Sequence, residues 1–165
     1  MKWCKIISVL MFLCCVACSS GGVRAESGVY DYSGDFLEQV EQNPLDRDYK
    51  MDFVAANTTI AYGELEAKYI KLWDRELNLI YQKLMKKLNN QQIDILIDSQ
   101  VGWLQWHTQE TKFVGAVWNN ERKLGSQGSI QELKAQKQRL RNRTLELMEY
   151  YYLFARSVEF EYQGK

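Results

Sequence analysis

The sequence has a single proline, Pro44, and a single histidine, His107, and its four cysteines are confined to the first 18 residues. With so few chain breakers, long helices meet little interruption. With no cysteine beyond Cys18, residues 19–165 cannot be stapled internally by disulfides, so any domain there must be held by packing. The spacing of Cys4, Cys14, Cys15 and Cys18 matches no zinc pattern, and no metal or other cofactor is expected. Neither charge sign prevails, with 21 basic and 21 acidic residues, which leaves no electrostatic case for nucleic acid as a partner. A recognisable catalytic set is also missing. His107 has no serine or cysteine nucleophile at a familiar spacing, and no paired-carboxylate motif stands out, so the reading is non-enzymatic.

What is present at the N-terminus reads as an export signal. Lys2 and Lys5 give residues 1–25 a basic start, and Ile6 to Ala17 is mostly apolar but too short to span a bilayer comfortably. Two endings compete. Val16-Ala17-Cys18-Ser19-Ser20 resembles a lipoprotein cleavage site, with Cys18 as the acylated first residue, although Cys15 stands where such sites usually carry leucine. Val23-Arg24-Ala25 suits ordinary cleavage before Glu26. Either ending sends the chain out of the cytoplasm, to be held to the membrane by a lipid anchor or released as a periplasmic or secreted form. Loss of Lys2, Lys5 and Arg24 would leave 18 basic against 21 acidic residues.

Residues 26–56 read as an acidic lead, solvated and partly flexible, with eight acids against Arg47 and Lys50 between residues 26 and 52. Asp35 would cap a short helix over Phe36–Gln42, closed by Asn43-Pro44. The main domain is expected over residues 57–157, as three long helices in an up-down-up bundle. The first is capped by Asn57, Thr58 or Thr59 and runs to Leu88, with Leu65, Tyr69, Leu72, Trp73, Leu77, Ile80 and Leu84 forming its apolar stripe. The second runs from about Gln91 to Asn119 and gathers Leu96, Ile97, Gln100, Trp103, Leu104, His107 and Thr111 on or beside one face. Gly102 and Gly115 weaken this helix, and close helix approach is the expected reason for both. A Gly/Ser loop follows from Asn119 to Ser129, and Ser129 with Glu132 makes a capping box for the third helix. Leu133, Leu140, Leu147 and Phe154 repeat there every seven residues. The run Lys134, Lys137, Arg139, Arg141, Arg143 reads as a solvated face. Residues 158–165 are expected to be helical or frayed, since a lone strand would have nothing to pair with. The whole is an all-α fold with one short extra N-terminal helix.

Several of these residues fall into an ordered pattern. Asp74-x-x-Leu77-Asn78-x-x-Tyr81-x-x-Leu84 is followed by Ser99-Gln100-x-x-Trp103, then Gly128-Ser129, then Arg143-Thr144-x-Glu146-Leu147. In that order they resemble the LprI-type lysozyme inhibitor domain, a small helical module of bacterial envelope proteins, over about residues 58–150. The resemblance implies a binding protein that inhibits lysozyme by occlusion. The acidic lead is compatible with this, because many lysozymes are basic. The pattern has departures. Family members commonly carry arginine at the position of His107 and cysteines near Leu65, Thr111 and Ala135, so whatever depends on a staple or on that arginine is in doubt here.

The signature residues admit two readings. In the first they are structural: Asp74, Asn78 and Tyr81 form a polar cluster that fixes helix register, Gln100 and Arg143 bond to it across the bundle, and Trp103, Leu77 and Leu147 are core. In the second they touch a partner, with His107 as the candidate contact. The partner would be lysozyme or another envelope protein. A scaffolding lipoprotein with no lysozyme activity is the alternative function.

Overall fold

A computed structural model describes residues 32–118 and 125–165; the signal segment, Cys18, the four cysteines and most of the Asn119–Ser129 loop lie outside the described residues. Asp31–Lys165 form one compact unit. The fold is all-α: α1 Tyr32–Glu41, α2 Pro44–Ala55, α3 Thr59–Met85, α4 Asn90–Trp118 and α5 Ser126–Ala155. No described helix is long and apolar enough to cross a membrane.

The second short helix, α2, departs from the expected acidic lead. Pro44 starts it instead of merely ending α1, because proline at the first helical position costs no hydrogen bond. Asn43 caps it, its side chain accepting from the Asp46 N–H at 2.8 Å. Three acids of this segment are bound to the rest of the domain and do not simply face water. Asp46 takes a bidentate grip from Arg141 of α5, with contacts of 2.6–2.9 Å. Burial opposes its ionisation, but the Arg141 and Asn43 hydrogen bonds outweigh this and hold its carboxyl below the usual range. Asp48 is fully buried, and Asp52 accepts from Lys68 and Tyr69 of α3.

α3 follows its sequence pattern closely. Thr58 caps it, and Leu65, Tyr69, Trp73, Leu77, Ile80 and Leu84 are all buried. Its main partner is α5, which also carries α4 and α1. α5 begins at Ser126, three residues before the expected cap, with Gly125 at positive φ leading into it. Leu140, Leu147, Met148 and Tyr152 are core residues of α5, and Phe154 at the end of the heptad series is half exposed. The basic run of α5 is not a solvated face. Lys137 is buried, with its Nζ 2.7 Å from Glu66 of α3 and 3.2 Å from the centre of the Tyr49 ring. Arg143 is buried as well.

α4 differs most from expectation. Of its 29 residues only Leu96 is buried. Ile97 and Leu104, both assigned to the inner stripe, are exposed, and Trp103 is only partly buried against the core. The physical reason is that α4 packs on α5 and makes little contact with α3. Gly115 has the expected role: a Cβ there would sit 2.9 Å from the Glu132 carboxylate of α5. Gly102 does not, since nothing lies within 4 Å of where its Cβ would be.

The C-terminal residues are neither helical nor frayed. Arg156 ends α5 in the left-handed conformation, and the following segment lies along α3. It needs no strand partner because carboxylates on the helices take its N–H groups. Glu76 accepts from the N–H of Glu161 at 3.2 Å and of Tyr162 at 2.7 Å. Asp48 accepts from the Tyr162 hydroxyl and the Lys165 N–H, both at 2.9 Å. Phe160 packs edge-on against Trp73.

Candidate functional site

The signature residues separate into three groups. Leu77 and Leu147 are buried core positions, and Tyr81 is half-buried against the same core. Asp74 and Asn78 lie one helical turn apart on the exposed side of α3. The Asn78 amide donates to the Asp74 carbonyl at 2.8 Å and to its carboxylate at 3.4 Å.

The third group joins α4 to α5. Arg143 Nε donates to Gln100 Oε1 at 3.0 Å, its Nη2 to Ser99 Oγ at 3.1 Å, and its Nη1 to Glu146 at 2.8 Å. A buried guanidinium with three acceptors is a satisfied group that fixes the register of the two helices. The expected single polar cluster is therefore two clusters. Gln100 and Arg143 bond to each other, while Asp74 and Asn78 close on themselves.

His107 lies one turn beyond Trp103, and the two rings stack at 4.8 Å with an interplanar angle of 21°. Burial holds the imidazole pKa below its ordinary value, and the neighbouring Arg139 charge pushes it the same way, partly opposed by Asp74. The Nδ1 of His107 is buried without a hydrogen-bond partner. Arg139 reaches Thr111, its Nη2 donating to Oγ1 at 2.8 Å. The hydroxyl position where family members commonly have cysteine thus faces α5 and holds an arginine there. Arg139 is not singled out by the sequence pattern, although Ser99 belongs to it. Ser99 adjoins Gln100 within the motif, whereas Arg139 lies inside a basic run with no feature to separate it from its neighbours.

The Gln100–Arg143 and Asp74–Asn78 hydrogen bonds are closed, whereas His107 Nδ1 and Arg139 Nε are buried without a partner. The imidazole centroid lies 4.8 Å from that of the Trp103 indole, and the Thr111 hydroxyl, one turn on, donates to the His107 carbonyl at 2.8 Å. Among the described residues no group of three His, Cys, Asp or Glu side chains is placed to hold a metal ion.

A recess opens where the end of α3, the start of α4 and the end of α5 meet. It encloses about 330 Å³ and is lined by Leu84, Leu88, Ile95, Leu96, Leu153 and Phe154, among others. Tyr150 also borders it, its hydroxyl donating to Glu146 at 3.0 Å.

These features define a small all-α domain, built on the α3–α5 pair, that presents a long exposed helix. The chain belongs to the LprI lysozyme inhibitor family: the family model described as Lysozyme inhibitor LprI matches residues 54–147. That span runs from the end of α2 through the α5 residues Arg143 and Leu147, so it contains both polar clusters. No curated protein and no solved structure matches the chain.

Proposed function

We propose that this protein is an exported, non-enzymatic inhibitor of lysozyme that acts by occlusion in the bacterial cell envelope. The observation that carries this reading is the family match over residues 54–147. The closed hydrogen bonding of Gln100, Arg143, Asp74 and Asn78 supports it, since such groups position a surface without turning over a substrate. The same reading takes the three long helices as an up-down-up set. Glu66–Lys137 and Trp73–Thr144 pair α3 with α5 at a constant offset, whereas Gln100–Arg143 and Thr111–Arg139 pair α4 with α5 in the reverse sense. Export follows from residues 1–25, with Cys18 acylated or the chain cut before Glu26. The mass of the exported form distinguishes these two endings.

The test is a turbidity assay of cell-wall lysis. The purified domain should slow lysozyme at near-stoichiometric concentration. Full lysis rates across several lysozyme types, with the domain in excess, overturn the proposal and favour a scaffolding lipoprotein. His107 contributes to the contact by holding the Trp103 ring. His107→Ala should weaken inhibition while leaving the helical signal intact, and loss of the fold instead would assign His107 to the core.

A further inference from the structure

Exposed apolar side chains are concentrated on α4. Ile95 is 62 % exposed, Trp106 51 % and Phe113 63 %, and Val117 is about half exposed. Their separations of 11, 7 and 4 residues return them to one side of a helix. That side is continuous with the recess, because Ile95 lines it, and Leu153 and Phe154 of α5 form the opposite wall. A row of large apolar groups beside a cavity that can take an apolar side chain has the anatomy of an interface. Isolated exposed hydrophobics are ordinary, but an aligned set with a recess is not.

The charges around this surface select its occupant. α4 carries Asp94, Asp98 and Glu110 against Lys112. Glu146 is exposed and bonded to Tyr150 at the mouth of the recess, and Glu149 is close enough for its charge to act on the same hydroxyl. Arg143 pairs with Glu146 at 2.8 Å and offsets its charge, which leaves Glu149 as the acid that α5 adds to this rim. Lys87 lies between Leu84 and Leu88 at the α3 edge of the recess, so the surface is apolar with a rim that is acidic along α4 and α5. A second copy of this chain would bring like charges together, whereas a basic protein is steered onto it.

We propose that lysozyme is bound through this side of α4 and its adjoining recess, with an apolar side chain of the enzyme entering the recess and its surface cations meeting Asp98 and Glu149. This rests on the inhibitor reading above. At 29 residues α4 is about 44 Å long, enough to cover an extended glycan-binding cleft.

The experiment compares the full-length parent and four variants against a basic lysozyme, reading inhibition of lysis, direct binding and far-UV circular dichroism. Trp106→Ser/Phe113→Ser and, separately, Ile95→Ser should keep the helical signal and inhibit at least tenfold more weakly. Val54→Ser/Ile60→Ser changes the exposed apolar residues of the α2–α3 junction, where Val54 is 86 % exposed, and should inhibit like the parent. Asp98→Asn/Glu149→Gln should weaken binding several-fold at low salt, with the difference vanishing at high salt. If the parent inhibits and the α4 variants inhibit equally well, the surface assignment is wrong while the inhibitor reading stands. If the parent fails to inhibit, the inhibitor reading falls and takes this assignment with it. A parent that dimerises through this face, with the α4 variants monomeric and still inhibitory, also overturns the assignment.

Discussion

Glu76, 2 % exposed on α3, accepts the backbone N–H of Tyr162 at 2.7 Å and so ties the last residues of the chain to the centre of the domain. Its other oxygen takes the N–H of Glu161. A buried carboxylate needs donors, and here main-chain groups supply them. Glu76→Ala should therefore release the segment after Arg156 and cost about 1.5–3 kcal/mol, the range for hydrogen bonds to a charged group. Urea denaturation would give the loss, and amide exchange should speed up at Glu161 and Tyr162 first. Unchanged protection at those two amides would show that Phe160 packing, not Glu76, holds the segment.

The Glu66–Lys137 pair makes a contrasting prediction. Both groups are buried, and the Tyr49 hydroxyl donates to Glu66 at 2.5 Å. Burial lowers the Lys137 pKa, and Glu66 opposes that shift. Removing one partner strands a charge, so Glu66→Leu or Lys137→Met alone should destabilise by about 3–5 kcal/mol. The double variant should recover much of that loss, because an apolar pair of similar volume carries no desolvation penalty. Chemical denaturation of the three variants measures the coupling, and additive losses would contradict it.

Acid sensitivity follows from Asp52. Hydrogen bonds from Lys165 and Lys68 bring its pKa down to about 2 from 3.8, with burial acting in the opposite direction and Tyr69 assisting. A carboxyl whose folded pKa is depressed contributes stability that is complete above the unfolded value and lost as pH falls through the folded one. The melting temperature should thus drop between about pH 4 and pH 2, and Asp52→Asn should flatten that drop. A variant with the same slope as the parent would place the acid response elsewhere.

The two glycines of α4 should respond differently to alanine. Gly102 has open space around it and pays the helix penalty with no packing return, so Gly102→Ala should stabilise by about 1 kcal/mol. Gly115→Ala gains the same propensity but must displace the Glu132 carboxylate 2.9 Å away, which makes it neutral or destabilising. Thermal melts of the two single variants decide the order.

The sequence by itself determined the helical class and most of α3. Its apolar stripe is amphipathic at a 3.6-residue period, and a helix pressed against a partner must bury that stripe. The ordered motifs also placed Leu77 and Leu147 in the core and pointed to the family that the match over residues 54–147 establishes. Tertiary structure alone decided the fate of charge. Lys137 reads like a surface residue, yet it is buried because Glu66 meets it from a helix distant in sequence, whereas a role for Arg143 across the bundle with Gln100 is legible in the motifs. The same holds for α4, whose apolar residues look like core material. Whether an apolar face is buried depends on how many neighbours reach it, and α4 leans on α5 with Ile97 and Leu104 of the expected stripe left in water. The terminal segment is the clearest case. Its order comes from Glu76, Asp48 and Trp73, none of which is close to it in the chain, so no local pattern in residues 158–165 could announce it.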